Sequence, residues 1–330
     1  MGKGLKAALQ SQQSRLKAKE RIQKAARVAE FKCNKPSVNP KTTLNSSRVP
    51  GKGKEKEKSY GRLLPNQRPT VPFEPTNKIL LVGEGNFSFA RALIVDPPLA
   101  LVNLPPGNVT ATAYDTEQEC YDKYPDAEYI VKLLKNQGVE VLFGVDATKL
   151  EKVHGFKDRK WDRIVWNFPH AGKGITDQDR NILSNQVLIL DFLRSASKFL
   201  RRGLVPSVHK PRKRNSAVDQ EDEDGEADNF NTTQSSSETP TPTRGTILVT
   251  LRNVPPYTLW DVPRLAKKPP PPISGSESPN PHYTQLRSFV FHRDLWTGYE
   301  HRMTKGERAR GTGKTGEGGV DRTWEFCLRD

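Results

Sequence analysis

The chain has 330 residues, of which 34% are hydrophobic, and it carries a formal net charge of +15 at pH 7. Its cysteines, Cys33, Cys120 and Cys327, are too few for a disulfide framework and too far apart for a CxxC-type metal site. It contains no run of about 18 apolar residues and no apolar signal-peptide core, so we expect a protein that is neither membrane-bound nor secreted.

The positive charge is concentrated near the N-terminus. Residues 1–60 contain 16 Lys or Arg residues and four Glu residues, so +12 of the net charge of +15 lies there. The segment 35–75 is rich in Pro, Ser, Lys and Gly, and it has too few apolar side chains to offset the entropy lost on ordering. We therefore predict that residues 1–75 are a disordered basic tail and linker, which contacts either RNA or a nuclear import receptor.

A folded domain is predicted from about residue 76, where the composition changes. Residues 79–82 are continuously apolar, which is typical of a parallel strand covered on both faces. Three further short runs, at 109–114, 139–145 and 163–166, are separated by segments long enough for crossover helices. This alternation predicts a doubly wound α/β sheet, against which a helix from about Asp177 to Leu200 packs.

The remainder of the domain is predicted to span an insertion and three more strands. Residues 203–245 contain a basic cluster, then an acidic run, then a Ser/Thr/Pro-rich stretch, as is typical of a disordered insertion. Apolar runs at 246–251, 286–292 and 323–328 supply the fifth to seventh strands. The predicted domain therefore covers residues 76–330 and has a mostly parallel sheet of about seven strands.

The most specific local signal is the glycine loop directly after the first strand, Gly83-Glu84-Gly85-Asn86-Phe87. Its first glycine permits a tight turn, and its second lets the backbone approach a nucleotide-type cofactor at the start of a helix. Ser88 stands where a GxGxxG motif would have its third glycine, so the pattern alone is weak. The simpler interpretation is a turn that only joins a strand to a helix.

Two acidic residues follow the next two strands. Asp115 ends the second strand, where a carboxylate can accept hydrogen bonds from both ribose hydroxyls of an adenosine cofactor. Asp146 ends the third strand, where it would meet the adenine amino group. A solvated turn is the alternative for Asp115, and helix capping is the alternative for Asp146.

The fourth strand leads into Asn167-Phe168-Pro169-His170, a polar turn stiffened by proline. Ligands in such sheets bind beyond the carboxyl ends of the strands, so this turn is the candidate catalytic site. The Asn167 amide can orient a base, Phe168 can stack on it, and His170 can accept a proton near neutral pH. The alternative is a rigid turn with a solvated His170. Later aromatic and basic residues are interpreted mainly as packing or surface residues, with RNA contact as the alternative; among them are Arg252, Arg293 and Tyr299.

Four motifs together resemble the eukaryotic 25S rRNA (uridine-N3)-methyltransferase family. They are ILLVGEGNFSFARAL at 79–93, AYDTE at 113–117, GVDAT at 144–148 and VWNFPHAGKG at 165–174. The resemblance covers most of residues 78–202 and, more loosely, 246–329. The combination of GEGNFSF with NFPHAGKG is much more specific than either motif alone.

The resemblance implies a class I, Rossmann-like methyltransferase fold, S-adenosylmethionine as the methyl donor, a uridine of large-subunit rRNA as the acceptor and a nucleolar location. It assigns Gly83, Glu84, Gly85, Asn86 and Phe87 to the methionine side of the donor. It assigns Asp115 and Asp146 to the adenosine, and Asn167 to His170 to the target base. No metal is implied.

Three other functions remain open from the sequence. A nicotinamide-dependent oxidoreductase would share the glycine loop and Asp115, but it would not explain the Asn167–His170 turn or the basic tail. A ribosome-assembly factor could keep the methyltransferase fold without turnover. A methyltransferase could also act on another RNA, because a basic tail does not choose among RNAs.

Overall fold

The computed structural model describes residues 69–206, 243–271, 279–304 and 319–329. The predicted tail up to residue 68, most of the predicted insertion and Cys33 lie outside the described residues. The ends of that insertion are placed: Leu204 pairs with Thr243 in an isolated parallel bridge. Ordered packing also begins before residue 76, because Phe73 is buried in the core.

Seven strands form one sheet in the order β3-β2-β1-β4-β5-β7-β6. Strands β1 to β5 pair with one another in parallel, and β7 is antiparallel to both β5 and β6. The predicted mostly parallel α/β fold of a class I methyltransferase is therefore confirmed. The strands are β1 (Ile79–Val82), β2 (Val109–Thr112), β3 (Glu140–Leu142), β4 (Arg163–Asn167), β5 (Thr246–Arg252), β6 (Tyr283–Val290) and β7 (Asp321–Leu328).

Five α-helices connect or flank these strands in the described part of the chain. They are α1 (Ser88–Ile94), α2 (Glu117–Lys123), α3 (Ala127–Gln137), α4 (Gln178–Ser197) and α5 (Val262–Lys267). Their ends follow ordinary capping chemistry. Thr116 and Glu119 form a reciprocal capping box at the start of α2. The chain leaves α3 through Gly138 at φ 94°, a left-handed conformation that favours glycine.

The sheet is covered on both faces, which explains why β1 is continuously apolar. Ile79 and Leu81 belong to one buried cluster, which includes residues of α1 and α3. Leu80 and Val82 point the other way and belong to a second cluster, which includes residues of α4. All four side chains are almost fully buried. Burial on both faces holds β1 rigidly at the centre of the sheet, directly below the glycine loop.

Among the described residues, no helix is long and apolar enough to cross a membrane. The same residues contain no cluster of three or more His, Cys, Asp or Glu side chains arranged to hold a metal ion. Cys120 and Cys327 are both buried.

Candidate active site

A cleft opens at the carboxyl ends of β1, β2 and β4, where the strand order changes direction between β1 and β4. It contains about 670 Å³ of empty space, including its open mouth, which is within the usual size range of small-molecule sites. Its lining comes from the loops after these three strands, from the end of α2 and from a segment after β6. The lining residues are Gly83, Glu84, Gly85, Asn86, Ser88, Tyr114, Asp115, Tyr124, Asn167, Phe168, Tyr299, Glu300, His301, Arg302 and Thr304.

The glycine loop turns sharply at Gly83, and both of its glycines lie close to neighbouring side chains. Gly83 adopts φ 67°, and a Cβ atom there would lie 2.6 Å from the Trp166 Nε1 atom. A Cβ atom on Gly85 would lie 3.3 Å from the Cβ atom of Arg302. Ser88, at the position of the missing third glycine, exchanges hydrogen bonds with the backbone of Glu300 at 3.0 and 3.1 Å. The serine therefore ties the loop to the opposite wall of the cleft.

Asn86 and Phe87 shape the loop from behind. The buried Asn86 side chain donates to the Asp126 carboxylate at 2.7 Å and accepts from the Ser88 amide at 3.2 Å. Phe87 adopts φ 62° at the N-cap of α1, and its buried ring packs edge-on against Phe143. Asn86 lines the cleft, whereas Phe87 is not among its lining residues.

Glu84 is half-buried between the two glycines and lines the cleft. Its carboxylate accepts a hydrogen bond from the Ala90 amide at 3.4 Å, so it also caps α1. Burial raises the pKa of Glu84 to about 7, and hydrogen bonds from the Ala90 and Phe89 amides offset only part of this effect. The Glu84 carboxyl group therefore titrates close to neutral pH.

The two predicted adenosine contacts differ in position. Asp115 lines the cleft, and its carboxylate lies 2.6 Å from the Lys123 ammonium group. Asp146 is not among the lining residues; it caps the short 3-10 helix that follows it by accepting from the Thr148 amide and hydroxyl at 2.9 and 2.7 Å. Partial burial raises the pKa of Asp146, but the bonds from Thr148 and Lys149 outweigh this effect, so the pKa lies below its usual value. The capping alternative for Asp146 is thus what the structure shows, and its adenine contact stays a prediction.

Asn167, the last residue of β4, presents an unusual polar group to the cleft. Both atoms of its amide, Oδ1 and Nδ2, are buried, and neither has a hydrogen-bond partner among the described residues. An unpaired buried polar group costs about 1–3 kcal/mol, so native proteins rarely keep one without a function. A planar ligand edge with one donor and one acceptor would satisfy this amide.

Phe168 continues the turn in a left-handed conformation, with φ 54°. Its backbone amide donates to Thr250 at 2.8 Å, which fixes the turn to β5. Its ring centre lies 4.3 Å from the ring of His301, and the Arg293 guanidinium lies 5.3 Å from its centroid. Pro169 behind it is buried and does not line the cleft.

His170 lies outside the cleft in this conformation. The side chain is exposed, and its Nδ1 atom accepts a hydrogen bond from the Gly172 amide at 2.8 Å. Its ring centre is 5.8 Å from that of Trp260. The structure therefore brings together Gly83 to Asn86, Asp115, Asn167 and Phe168, and it leaves Phe87, Asp146, Pro169 and His170 outside the lining.

The wall opposite the glycine loop was missed by sequence reasoning. It is formed by residues 299–304, and only Tyr299 had been considered, as a packing or RNA-contact residue. The phenol of Tyr124 donates to the Met303 carbonyl at 2.8 Å, and Arg302 pairs with Asp126 at 3.1 Å. The aromatic and ionisable residues of this segment, soon after a strand, were the signal in the sequence that it could be functional. The local sequence does not indicate which loops of the sheet the segment contacts.

His301 is the most distinctive residue of this wall. Burial, together with the nearby charges of Arg293 and Arg252, lowers its pKa to about 4. The imidazole is therefore neutral at physiological pH. It packs on Phe168 as a neutral ring with one donor and one acceptor nitrogen.

Comparison with known proteins shows which family the sequence matches. The family model described as "BMT5-like: rRNA (uridine-N3-)-methyltransferase BTM5-like" matches residues 80–303. The chain is 28% identical over 326 residues to the 25S rRNA (uridine(2634)-N(3))-methyltransferase of Saccharomyces cerevisiae, a match that covers 93% of this chain and 85% of the yeast protein.

Two further relatives match over shorter stretches. The heavy metal-associated isoprenylated plant protein 41 of Arabidopsis thaliana is 35% identical over 140 residues, which are 42% of this chain and 26% of the plant protein. The ferredoxin-fold anticodon-binding domain-containing protein 1 homolog of Mus musculus is 38% identical over 127 residues, which are 38% of this chain and 18% of the mouse protein.

Proposed function

Because this chain belongs to the BMT5-like family of rRNA (uridine-N3-)-methyltransferases, we propose that it transfers a methyl group from S-adenosylmethionine to N3 of a uridine in large-subunit rRNA. The yeast relative carries this activity on 25S rRNA in its name. In the reaction, the uridine N3 atom loses its proton and forms a bond to the methyl carbon. The bond between that carbon and the donor sulfur breaks, and the donor's positive charge disappears with it.

The chemistry of the cleft fits such a donor. The backbone of Gly83 to Asn86 approaches the cleft closely enough to bind the methionine part, and the Asp115 carboxylate is available to accept from ribose hydroxyls. Both capping bonds of Asp146 end on Oδ1, so its proposed adenine contact falls to Oδ2, which lies 3.1 Å from the Lys149 Nζ atom. When bound, the donor supplies an electrophilic methyl group; the protein supplies position and electrostatics.

The proposal for the acceptor rests chiefly on one observation: the unpaired amide of Asn167 lines the same cleft as the glycine loop. The edge of uracil has carbonyl acceptors on both sides of an N–H donor, so the Asn167 amide can pair with it and orient N3. Phe168 lines the same cleft with its ring 4.3 Å from that of His301, so this aromatic pair can contact an extruded base. Pro169 stiffens the turn behind both residues.

Two histidines are candidates to orient or receive the N3 proton. For His170 this role stays a prediction. Its Nδ1 atom could act on the N3 proton only after the hydrogen bond from the Gly172 amide breaks. His301 already lines the cleft and is neutral at physiological pH, so it can accept a hydrogen bond from N3–H. Its pKa of about 4 makes it a weak base, so it suits orientation better than full proton removal.

The surroundings of the enzyme follow from its substrate. Large-subunit rRNA is made and assembled in the nucleolus, so we propose a nuclear, nucleolar location and a role in ribosome biogenesis. The basic segment 1–60 would add RNA affinity that falls steeply with salt, or it would bind a nuclear import receptor. Truncating it separates the two: loss of RNA affinity in vitro supports the first role, and unchanged affinity with cytoplasmic retention supports the second.

The test is a methylation assay with the full chain, S-adenosylmethionine and an unmodified transcript of large-subunit rRNA, followed by nucleoside mass spectrometry. The expected product is 3-methyluridine, and Gly85→Arg serves as the donor-site control. A methylated nucleoside other than 3-methyluridine would refute the acceptor assignment. Donor binding without any transfer, to this transcript or to assembled particles, would favour a non-catalytic assembly factor.

A further inference from the structure

Three carboxylates line the cleft, and two of them face a cation. Asp115 lies 2.6 Å from the Lys123 Nζ atom, and Glu300 lies 2.7 Å from an Arg302 guanidinium nitrogen. Glu84 forms no ion pair within the part of the chain that the structure describes. Its negative charge is therefore the one in the cleft that is not already matched by a described side chain.

The position of Glu84 makes this charge costly without a ligand. The residue lies between the two glycines that bring the backbone closest to the cleft, and it is half-buried there. Its known partners are the backbone amides of Phe89 and Ala90 at the start of α1, which stabilise the ionised form only in part. A cation in the cleft would supply the missing stabilisation.

We propose that Glu84 is the counter-ion of the donor's sulfonium group, and that this ion pair lets the site bind the donor in preference to its uncharged product. The inference rests on the proposed function, because it requires S-adenosylmethionine as the donor. The donor and S-adenosylhomocysteine share their adenosine, amino and carboxylate groups. They differ by one methyl group and one positive charge, which is the difference that a carboxylate in the cleft can detect.

The charges balance over the reaction. Before transfer, the ionised Glu84 cancels the sulfonium charge. After transfer, the sulfur is a neutral thioether, and Glu84 again lies unpaired in a half-buried position. Because its pKa is about 7, about half of the Glu84 carboxyl groups then take up a proton at pH 7, and the proton that uridine N3 loses goes to the solvent. The ion pair that held the donor no longer exists for the product, so product release is favoured.

The other ionisable groups of the cleft do not produce this effect. Burial raises the pKa of Tyr124 to about 12, and burial also raises the pKa of Tyr299, so both phenols stay neutral. Burial raises the pKa of the adjacent Cys120 thiol to about 12. His301 is neutral above about pH 5. Arg302 remains positive and paired with acidic residues, so it does not discriminate between the two ligands.

The test is isothermal titration of the full chain with S-adenosylmethionine and with S-adenosylhomocysteine at pH 6 and pH 8. With a pKa of about 7, the ionised fraction of Glu84 in the ligand-free protein rises about tenfold between pH 6 and pH 8. Only this ionised form is expected to favour the donor. The ratio of the two dissociation constants should therefore shift about tenfold toward the donor. The ligands' own amino groups titrate alike with the wild type and with Glu84→Gln, so comparing the two proteins removes their contribution to the ratio.

The matched variants are Glu84→Gln and Asp115→Asn. Gln keeps an oxygen that can accept from the Ala90 amide, so it removes the charge and preserves the cap. In Glu84→Gln the tenfold shift of the ratio should be lost, with the donor bound no more tightly than at pH 6 in the wild type. Asp115→Asn should weaken both ligands alike and keep the pH-dependent ratio.

The outcomes separate this inference from the function on which it rests. A ratio that does not change with pH in the wild type, while both ligands bind, would refute the role of Glu84 and leave the proposed function intact. Equal tightening of both ligands, abolished by Glu84→Gln, would assign Glu84 to the shared amino group instead and would also overturn the proposal. Failure of both ligands to bind the wild type would remove the donor assignment and the inference together.

Discussion

Replacing Glu84 by Gln should stabilise the ligand-free protein at alkaline pH. In the unfolded chain this carboxyl group titrates near its ordinary pKa of 4.5, whereas burial raises the pKa to about 7 in the folded state. Between these values the folded state holds more protons than the unfolded state, so wild-type stability falls as the pH rises. At about 1.4 kcal/mol for each pKa unit, the full loss is about 3 kcal/mol and is complete above about pH 7.

Urea unfolding, followed by tryptophan fluorescence from pH 5 to pH 8, measures this effect directly. The free energy of unfolding of Glu84→Gln, relative to wild type, should rise by about 2–3 kcal/mol over that range. Taking the difference cancels every other titration that the two proteins share. Glu128→Gln, which removes an exposed carboxylate paired with Lys132, should differ from wild type by less than about 1 kcal/mol throughout. If the difference in the free energy of unfolding between Glu84→Gln and wild type stayed constant with pH, the folded state would not raise the pKa of this carboxyl group.

Three further predictions concern the cleft. Gly85→Arg should abolish donor binding in calorimetry, because even a Cβ atom there meets the Arg302 side chain at 3.3 Å. Circular dichroism should show that the variant stays folded. Donor binding at wild-type affinity would exclude this loop as the donor site. His170→Ala should leave donor affinity unchanged and, if this residue receives the N3 proton, slow single-turnover methylation by about 100-fold or more; transfer at the wild-type rate would end its catalytic assignment. His301→Gln keeps a polar group but removes the ring that packs on Phe168, so it should raise the KM for RNA more than it changes donor affinity. An unchanged KM would show that the target uracil does not bind beside Phe168 and His301.

Strands buried on both faces are the part of this fold that local sequence predicts well. In a chain this polar, a continuous apolar run such as Ile79–Val82 predicts a strand that is buried on both faces. Its alternate residues do pack into two separate hydrophobic clusters. Ends of elements were less well predicted. The predicted strand at 139–145 is reduced to Glu140–Leu142 because the chain turns at Gly144, whose φ is 68°. The position of β7 between β5 and β6 depends on long-range pairing, which no local pattern contains.

The donor side of the cleft was more predictable than the acceptor side. Gly83 and Gly85 follow the first strand directly and precede a helix, so their spacing carries the signal, although the side chains that crowd them, Trp166 and Arg302, come from distant parts of the chain. His301 lies more than a hundred residues from Asn167 in the chain, and only the folding of β6 and β7 onto the sheet brings it to the cleft. His170 was favoured because it lies in the same turn as Asn167 and a histidine can accept a proton near neutral pH, but its Nδ1 atom accepts from the Gly172 amide and its exposed ring lies outside the cleft.

We propose that donor and uridine meet in the cleft where Asn167 presents its unpaired amide. Single-turnover methylation by Asn167→Leu, at saturating S-adenosylmethionine, tests it most directly. We expect transfer to uridine N3 to fall by at least about tenfold, the cost of one or more lost hydrogen bonds to the base, while donor affinity and Tm stay at or above wild-type values. Transfer by Asn167→Leu at the wild-type rate would contradict the account, because the base would then be held without the one amide that the cleft leaves unpaired among its described residues.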